Sequence, residues 1–164
     1  MRVAVGLGSN MEDRRHQLET AVSELSEVVG AVVAVSSLYE SVAVGGPVQD
    51  PFLNAVVVVE TDHPPQRVLG ALQKLEMRHH RTRDIRWGPR TLDLDIIATD
   101  EGPLRTPDLV VPHVRAHKRR FVLKPLREVW PEVLLADGKQ AALNRELPDQ
   151  PLTLVDRNWW SEPS

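Results

Sequence analysis

Cysteine is absent from this 164-residue chain. That excludes disulfides, thiolate metal sites and cysteine nucleophiles, and it leaves any metal to oxygen or histidine ligands. No apolar run approaches the roughly 20 residues that cross a bilayer. Met1-Arg2 leads straight into a short strand-like run with no signal-peptide pattern, so a cytoplasmic protein without a membrane partner is expected. Nucleotide signatures are also missing. No Gly-Lys-Ser/Thr loop occurs, and Gly6-Leu7-Gly8-Ser9-Asn10-Met11 lacks the third glycine of a dinucleotide fingerprint. Gly6 and Gly8 therefore read as a tight strand-to-helix turn rather than a phosphate cradle.

What is present is a concentration of positive charge. The net charge is only -3, yet 12 of the 20 Lys and Arg residues lie between Arg78 and Arg127. Such clustering suits an anionic ligand, although a solvated charged surface accounts for it equally well. A chain of this length fits one domain spanning residues 1–164, able to bury roughly two-thirds of the surface its unfolded form exposes.

Periodicity orders the elements. Arg2 to Leu7 reads as a buried strand, and Ser9-Asn10 followed by Glu12 and Asp13 marks a helix start, with Leu18, Val22, Leu25 and Val29 at helical spacing. Gly30 ends that helix, and the Val-rich run Ala31 to Tyr39 gives a second strand. Glu40 to Pro51, with its Gly-Gly pair and two prolines, reads as a loop. The nearly continuous apolar run Phe52 to Val59 is a third, central strand. Pro64-Pro65 open a helix with the stripe Val68, Leu69, Leu72 and Leu75. A second irregular segment, Met77 to Arg90, carries five arginines, and Thr91 to Ile97 alternates as a fourth strand. The order βαββαβ is the ferredoxin-like α+β arrangement, an antiparallel sheet with two helices on one face. Further on, a short helix after His113, an apolar anchor over Phe121 to Leu126, a short helix over Ala141 to Leu147 and an edge strand over Leu152 to Val155 are expected. Asn158 to Ser164 reads as a loose tail.

Asp93 and Asp95 lie two apart in the fourth strand, so both carboxylates emerge on one face, with α-carbons about 6.6 Å apart. By itself such a pair is more often an exposed strand face or an arginine-paired couple than a metal site. Arg81, Arg83, Arg86 and Arg90 immediately precede it, however, and arginine's planar fork suits phosphate oxygens. Acids for a hard cation beside a basic loop for phosphates are the parts of a phosphoryl-type transfer site.

These residues also match a known family. Gly8-Ser9-Asn10, Phe52-Leu53-Asn54-Ala55 and above all Arg86-Trp87-Gly88-Pro89-Arg90-Thr91-Leu92-Asp93-Leu94-Asp95-Ile96 resemble the 6-hydroxymethyl-7,8-dihydropterin pyrophosphokinases. Val111-Pro112-His113 and Arg119 to Leu123 continue the resemblance, which runs from residue 2 to about 135. It implies ATP as co-substrate, two magnesium ions and the pterin in one cleft, with Asp93 and Asp95 on both metals and Arg81 and Arg90 joining them in catalysis. It further implies that Gln73, Glu76, Arg81, Arg83, Arg90, Ile96, His113 and Arg119 contact the nucleotide. Phe52 and Phe121 would stack on the pterin, Asn54 would pair with its polar edge, and Ser41, Val44, Trp87 and Asp93 would line its pocket. On the helix wheel Gln73 and Glu76 fall on the shoulder of the apolar stripe, from which a cleft is within reach.

Two rival readings are weaker. The βαββαβ order also serves RNA recognition through aromatics on central strands, but the strands here are Val-rich and the chain holds only two Phe and one Tyr. A catalytically inactive relative that binds pterin or nucleotide is opposed by the intact Asp93/Asp95 pair. A monomer acting on small molecules, with no nucleic-acid partner, is expected.

Overall fold

In a computed structural model, residues 1–11, 13–42, 49–79, 91–135 and 145–162 are described. The elements in chain order are β1 (Arg2–Ser9), α1 (Arg14–Val28), β2 (Ala31–Val35), β3 (Leu38–Ser41), β4 (Phe52–Glu60), α2 (Pro65–Arg78), β5 (Asp93–Thr99), β6 (Leu104–Arg105), β7 (Val110–Val111), a 3-10 turn (Ala116–Lys118), α3 (Arg120–Val129) and β8 (Leu152–Asp156). The main sheet runs β5-β1-β4-β3-β8, with β2 also on β4, and its pairings are antiparallel. This is the ferredoxin-like arrangement expected from the element order, extended by β8 at one edge.

Each element has a local cause. Asp13 caps α1, its carboxylate accepting the His16 N–H at 3.2 Å. Helix α1 thus begins a few residues beyond Ser9-Asn10, which belong to β1 and the turn that follows it. Pro64 and Pro65 occupy the cap and first position of α2, where a missing N–H costs nothing. The single second strand expected over Ala31 to Tyr39 is two, broken at Ser36-Ser37. There the Ser36 hydroxyl enters the ladder, accepting from the Val56 N–H at 2.9 Å and donating to the Ser37 carbonyl at 2.8 Å. The chain then rejoins β4 in β3, so Glu40 and Ser41 are strand rather than loop.

Alternation along the strands sorts the side chains into two cores. Val3, Val5 and Leu7 of β1 pack with Val57 and Val59 against Leu18, Val22 and Leu25 of α1 and Val68, Leu72 and Leu75 of α2. On the opposite face Ala4, Val56 and Val58 meet Val122, Leu123 and Leu126 of α3. That covering of both faces is why β4 is buried along nearly its whole length. The apolar anchor at Phe121 to Leu126 is therefore part of a ten-residue helix that contains Pro125. The Glu128 carboxylate fastens that helix to the sheet, accepting from the Ser37 N–H at 3.1 Å, the Ser37 hydroxyl at 2.7 Å and the Tyr39 hydroxyl. With burial, that carboxylate holds the Tyr39 phenol well above its ordinary range.

Two expectations for the C-terminal part need correction. Trp159 does not belong to a loose tail: it is 3% exposed, packs in the α1/α2 core and donates its indole N–H to the Ser36 carbonyl at 2.7 Å. Residues 145–147 are not helical, and the remainder of the helix expected over Ala141 to Leu147 lies outside the described residues.

Candidate active site

The chemistry-bearing face is the one shared with α3. Gly6 and Gly8 sit inside β1, opposite Asp95 and Asp93 of β5 on one side and Val56 and Asn54 of β4 on the other. They are strand residues rather than a turn, and their missing side chains leave a floor on the central strand. A Cβ on Gly8 would stand 3.5 Å from the Asn54 Oδ1 and 3.6 Å from the Phe52 ring. Above this floor lies a cavity of about 700 Å³, a size that suits a bound small molecule.

Register explains why the two aspartates reach it. Ala4 pairs with Ala98 but Val5 pairs with Ile96, so Ile97 is an extra residue on β5. Beyond that bulge Leu94 and Ile96 face α1 and α2, while Asp93 and Asp95 line the cavity. Arg115, Lys118, Arg119 and His113 line the same cavity, and Asp93 and Asp95 act electrostatically on Arg119. The His113 N–H donates to the Ile97 carbonyl at 2.8 Å, tying this segment to the strand that carries the acids.

His113 accepts from the Arg115 backbone N–H through Nδ1 at 3.1 Å, which leaves Nε2 as the protonated, donating nitrogen of the neutral ring. Burial lowers its pKa to about 4, with Arg119 and Arg115 acting in the same direction and Asp93 opposing them. Above pH 6.5 the ring is neutral in both folded and unfolded chains; below it the unfolded chain gains a proton that the folded one refuses until about pH 4. Between pH 7 and 5 the fold is expected to lose about 1–2 kcal/mol from this group, allowing for its partial exposure. Urea unfolding of the chain and of its His113→Gln variant checks this: the variant's loss over that interval should be smaller, and equal losses would contradict the assignment.

Aromatic rings and an amide also line the cavity. Both phenylalanines of the chain, Phe52 and Phe121, line it, and neither is fully buried. The Arg119 guanidinium lies 5.6 Å from the Phe121 ring centroid, a cation–π distance. Burial displaces the Arg119 pKa downward, with the Asp95 carboxylate opposing the shift. Asn54 is 4% exposed, and its side-chain NH₂ donates to the Ser41 hydroxyl at 2.7 Å. That bond orients the amide with its oxygen over Gly8.

Asp93, Asp95, His113, Arg119, Ser41, Phe52, Asn54 and Phe121 are thus brought together around one cavity. Gln73, Glu76 and Ile96 are not. Helix α2 packs on the opposite face of the sheet, Gln73 is exposed there, and the Ile96 side chain is in the α1/α2 core. Glu76 is 3% exposed because its carboxylate accepts the Leu94 N–H at 2.9 Å, between the two aspartates along the β5 backbone. Val44, Arg81, Arg83, Trp87 and Arg90 lie outside the described residues. Arg115, Lys118 and Gln150 line the cavity without having been singled out as ligand contacts. The first two belong to the basic cluster that the charge distribution reveals, whereas nothing in the sequence around Gln150 points to a site.

The comparisons with known proteins agree on one family. A family model described as 7,8-dihydro-6-hydroxymethylpterin-pyrophosphokinase (HPPK) matches residues 4–131. A 2-amino-4-hydroxy-6-hydroxymethyldihydropteridine pyrophosphokinase of Pseudomonas aeruginosa is 43% identical over 139 residues, covering 84% of this chain and 86% of the relative. The Bacillus subtilis protein of the same name is 42% identical over 130 residues, covering 79% of this chain and 78% of its own. Among solved structures, an HPPK-DHPS chain in complex with substrates superimposes with a TM-score of 0.69 at 15% identity. That match covers 87% of this chain and 42% of that longer one, and at such identity it speaks for the fold. Family model, relatives and fold converge, and the chain belongs to the 7,8-dihydro-6-hydroxymethylpterin-pyrophosphokinase (HPPK) family.

Proposed function

We propose that the cavity over Gly6 and Gly8 is where this enzyme of folate biosynthesis transfers the terminal diphosphate of ATP to the hydroxymethyl group of 6-hydroxymethyl-7,8-dihydropterin, releasing AMP. The observation that carries this reading is that a single cavity is lined by two chemically distinct sets of residues. One set is Phe52, Phe121 and the Asn54 amide; the other is Asp93 and Asp95 with Arg115, Lys118 and Arg119. A flat heteroaromatic ring with a hydrogen-bonding edge fits the first set, and a polyphosphate fits the second.

On this reading the two phenylalanines hold the pterin ring while the Asn54 amide, oriented by Ser41, pairs with its polar edge. The ring's hydroxymethyl group then points towards the carboxylates and cations. Arg119 and the Nε2–H of neutral His113 hold phosphate oxygens, and Arg115 and Lys118 add positive charge where negative charge develops. The substrate hydroxyl attacks the β-phosphorus and AMP departs, with no covalent enzyme intermediate. Outside the described residues, Arg81, Arg83 and Arg90 act on the phosphates, while Trp87 and Val44 cover the pterin.

The donor set also fits magnesium. Two carboxylates project from one strand face into an open cavity, and among the described residues no group of three His, Asp or Glu could hold a metal alone. Magnesium is commonly held by one or two carboxylates together with substrate phosphates and waters. Asp93 and Asp95 are the residues to hold two such ions, whose chemistry is to neutralise and align the phosphate chain. The chain acts as a cytoplasmic monomer, one domain on two small-molecule substrates, without nucleic-acid or membrane partners. Calorimetric titration with a non-hydrolysable ATP analogue tests the metal. Replacing magnesium by a chelator should weaken binding by roughly tenfold or more, about 1.4 kcal/mol per decade, and an unchanged affinity would remove the metal from the reading.

A further inference from the structure

Helix α3 begins without a cap of its own. Arg119 at its N-cap makes no side-chain capping bond, although the first N–H groups of any helix lack intrahelical partners. The missing acceptor comes from far along the chain. The Gln150 side-chain oxygen accepts the Arg120 backbone N–H at 2.8 Å, and its NH₂ donates to the Lys118 carbonyl at 2.8 Å. The Arg120 guanidinium donates back to the Gln150 carbonyl at 3.0 Å. Within the segment the Lys118 and Arg119 N–H groups donate to the Arg115 and Ala116 carbonyls at 3.0 and 3.2 Å, whereas the side-chain atoms His117 Nδ1 and Arg120 Nε are buried without a hydrogen-bond partner among the described residues.

Gln150 is itself held. Its N–H donates to the Leu147 carbonyl at 3.0 Å, and two residues later β8 begins, with Leu152 opposite Ser41. Gln150 also lines the cavity, and it lies outside residues 4–131, the part of the chain that the family model matches.

We infer that Gln150 is a positioning residue for both substrates, clamping residues 118–121 so that the Arg119 guanidinium and the Phe121 ring stand at the cavity wall. The inference rests on the function proposed above. It assigns to the C-terminal segment a part in substrate binding, through the neutral amide that bridges the start of α3 and the turn before it. Loss of the clamp frees the segment to rotate and weakens binding of nucleotide and pterin together. The chemical step, which depends on Asp93 and Asp95, is left nearly intact.

The test is steady-state kinetics of the full chain and two variants, following pterin-dependent AMP release. Gln150→Ala is expected to raise KM for both ATP and pterin by roughly tenfold, in line with the loss of a helix cap, with kcat changed by less than about threefold. Gln150→Glu keeps an acceptor for the Arg120 N–H but sets a carboxylate oxygen against the Lys118 carbonyl in place of the NH₂ donor. With half of the clamp lost, both KM values should rise by about threefold or more. Both KM values of Gln150→Ala within twofold of the unmodified chain overturn the inference, even with a lowered melting temperature, because a merely structural tie would act that way. If Gln150→Ala does not fold, Gln150→Glu decides: both KM values raised by about threefold or more with kcat little changed support the clamp, and any other pattern, including a raised ATP KM beside a normal pterin KM, overturns it. An unmodified chain that releases no AMP fails the proposed function itself, a result distinct from an active chain indifferent to position 150.

Discussion

Replacing Asp95 by alanine is expected to lower kcat by about 10³-fold, roughly 4 kcal/mol of transition-state stabilisation, while leaving the fold as stable as before. The same holds for Asp93. The two carboxylates project from one face of β5 into the cavity rather than into either core, so no cavity is created by removing one. Relief of their mutual repulsion offsets the lost attraction between the carboxylate and the Arg119 guanidinium. Activity and stability should therefore separate. Single-turnover AMP formation alongside urea unfolding reads both. Turnover within tenfold of the unmodified chain in both single variants would remove the pair from the reaction, whereas parallel loss of activity and fold would make the pair structural.

Gly30→Ala is expected to cost on the order of 3–5 kcal/mol, enough to remove much of the stability of an ordinary domain. Gly30 turns the chain from α1 into β2 against the end of β4, and a Cβ there would lie 2.1 Å from the Glu60 carbonyl oxygen and 3.0 Å from the Thr61 α-carbon. Both are backbone atoms, so no rotamer change relieves the contact. The junction is also fixed from other directions, because the Thr61 hydroxyl donates to the Val29 carbonyl at 2.6 Å and the N-terminal ammonium to the Thr61 carbonyl at 2.8 Å. Gly70, in α2, is the internal control: a Cβ there meets nothing within 4 Å, and alanine should be neutral or stabilising by up to about 1 kcal/mol. Equal denaturation midpoints for Gly30→Ala and the unmodified chain would refute the packing described for this turn.

The parts of the fold legible in the sequence were those in which periodicity and burial agree. The β4 run is apolar at nearly every position because helices cover both faces of the sheet, and the α1 and α2 stripes match their buried residues. The second strand was legible in place but not in its interruption, since the Ser36 hydroxyl's entry into the ladder leaves no periodic trace. Helix α3 was hidden by Pro125, which usually marks a break; packing of Val122, Leu123 and Leu126 on the sheet overrides it. Trp159 looked like tail because its partners, above all the Ser36 carbonyl, lie far away in sequence.

The site divides in the same way. Asp93 and Asp95 are a local pattern, and strand alternation alone puts them on one face. Gly6 and Gly8 read as a turn in the sequence because a strand that leaves a ligand floor has the same local composition as one about to end. For Gln73 and Glu76, the shoulder of a helix stripe can turn either way. The Leu94 N–H draws Glu76 to the sheet edge, on the face away from the cavity. Arg115, Lys118 and Gln150 depend on how the C-terminal third folds over α3's first turn, which no short pattern encodes.

The most direct test of the central claim is to incubate the purified chain with ATP, magnesium and 6-hydroxymethyl-7,8-dihydropterin, then resolve the nucleotide products and weigh the pterin. AMP together with a pterin that has gained a diphosphate is the expected result. ADP with a singly phosphorylated pterin, or no pterin-dependent turnover at all, would contradict it.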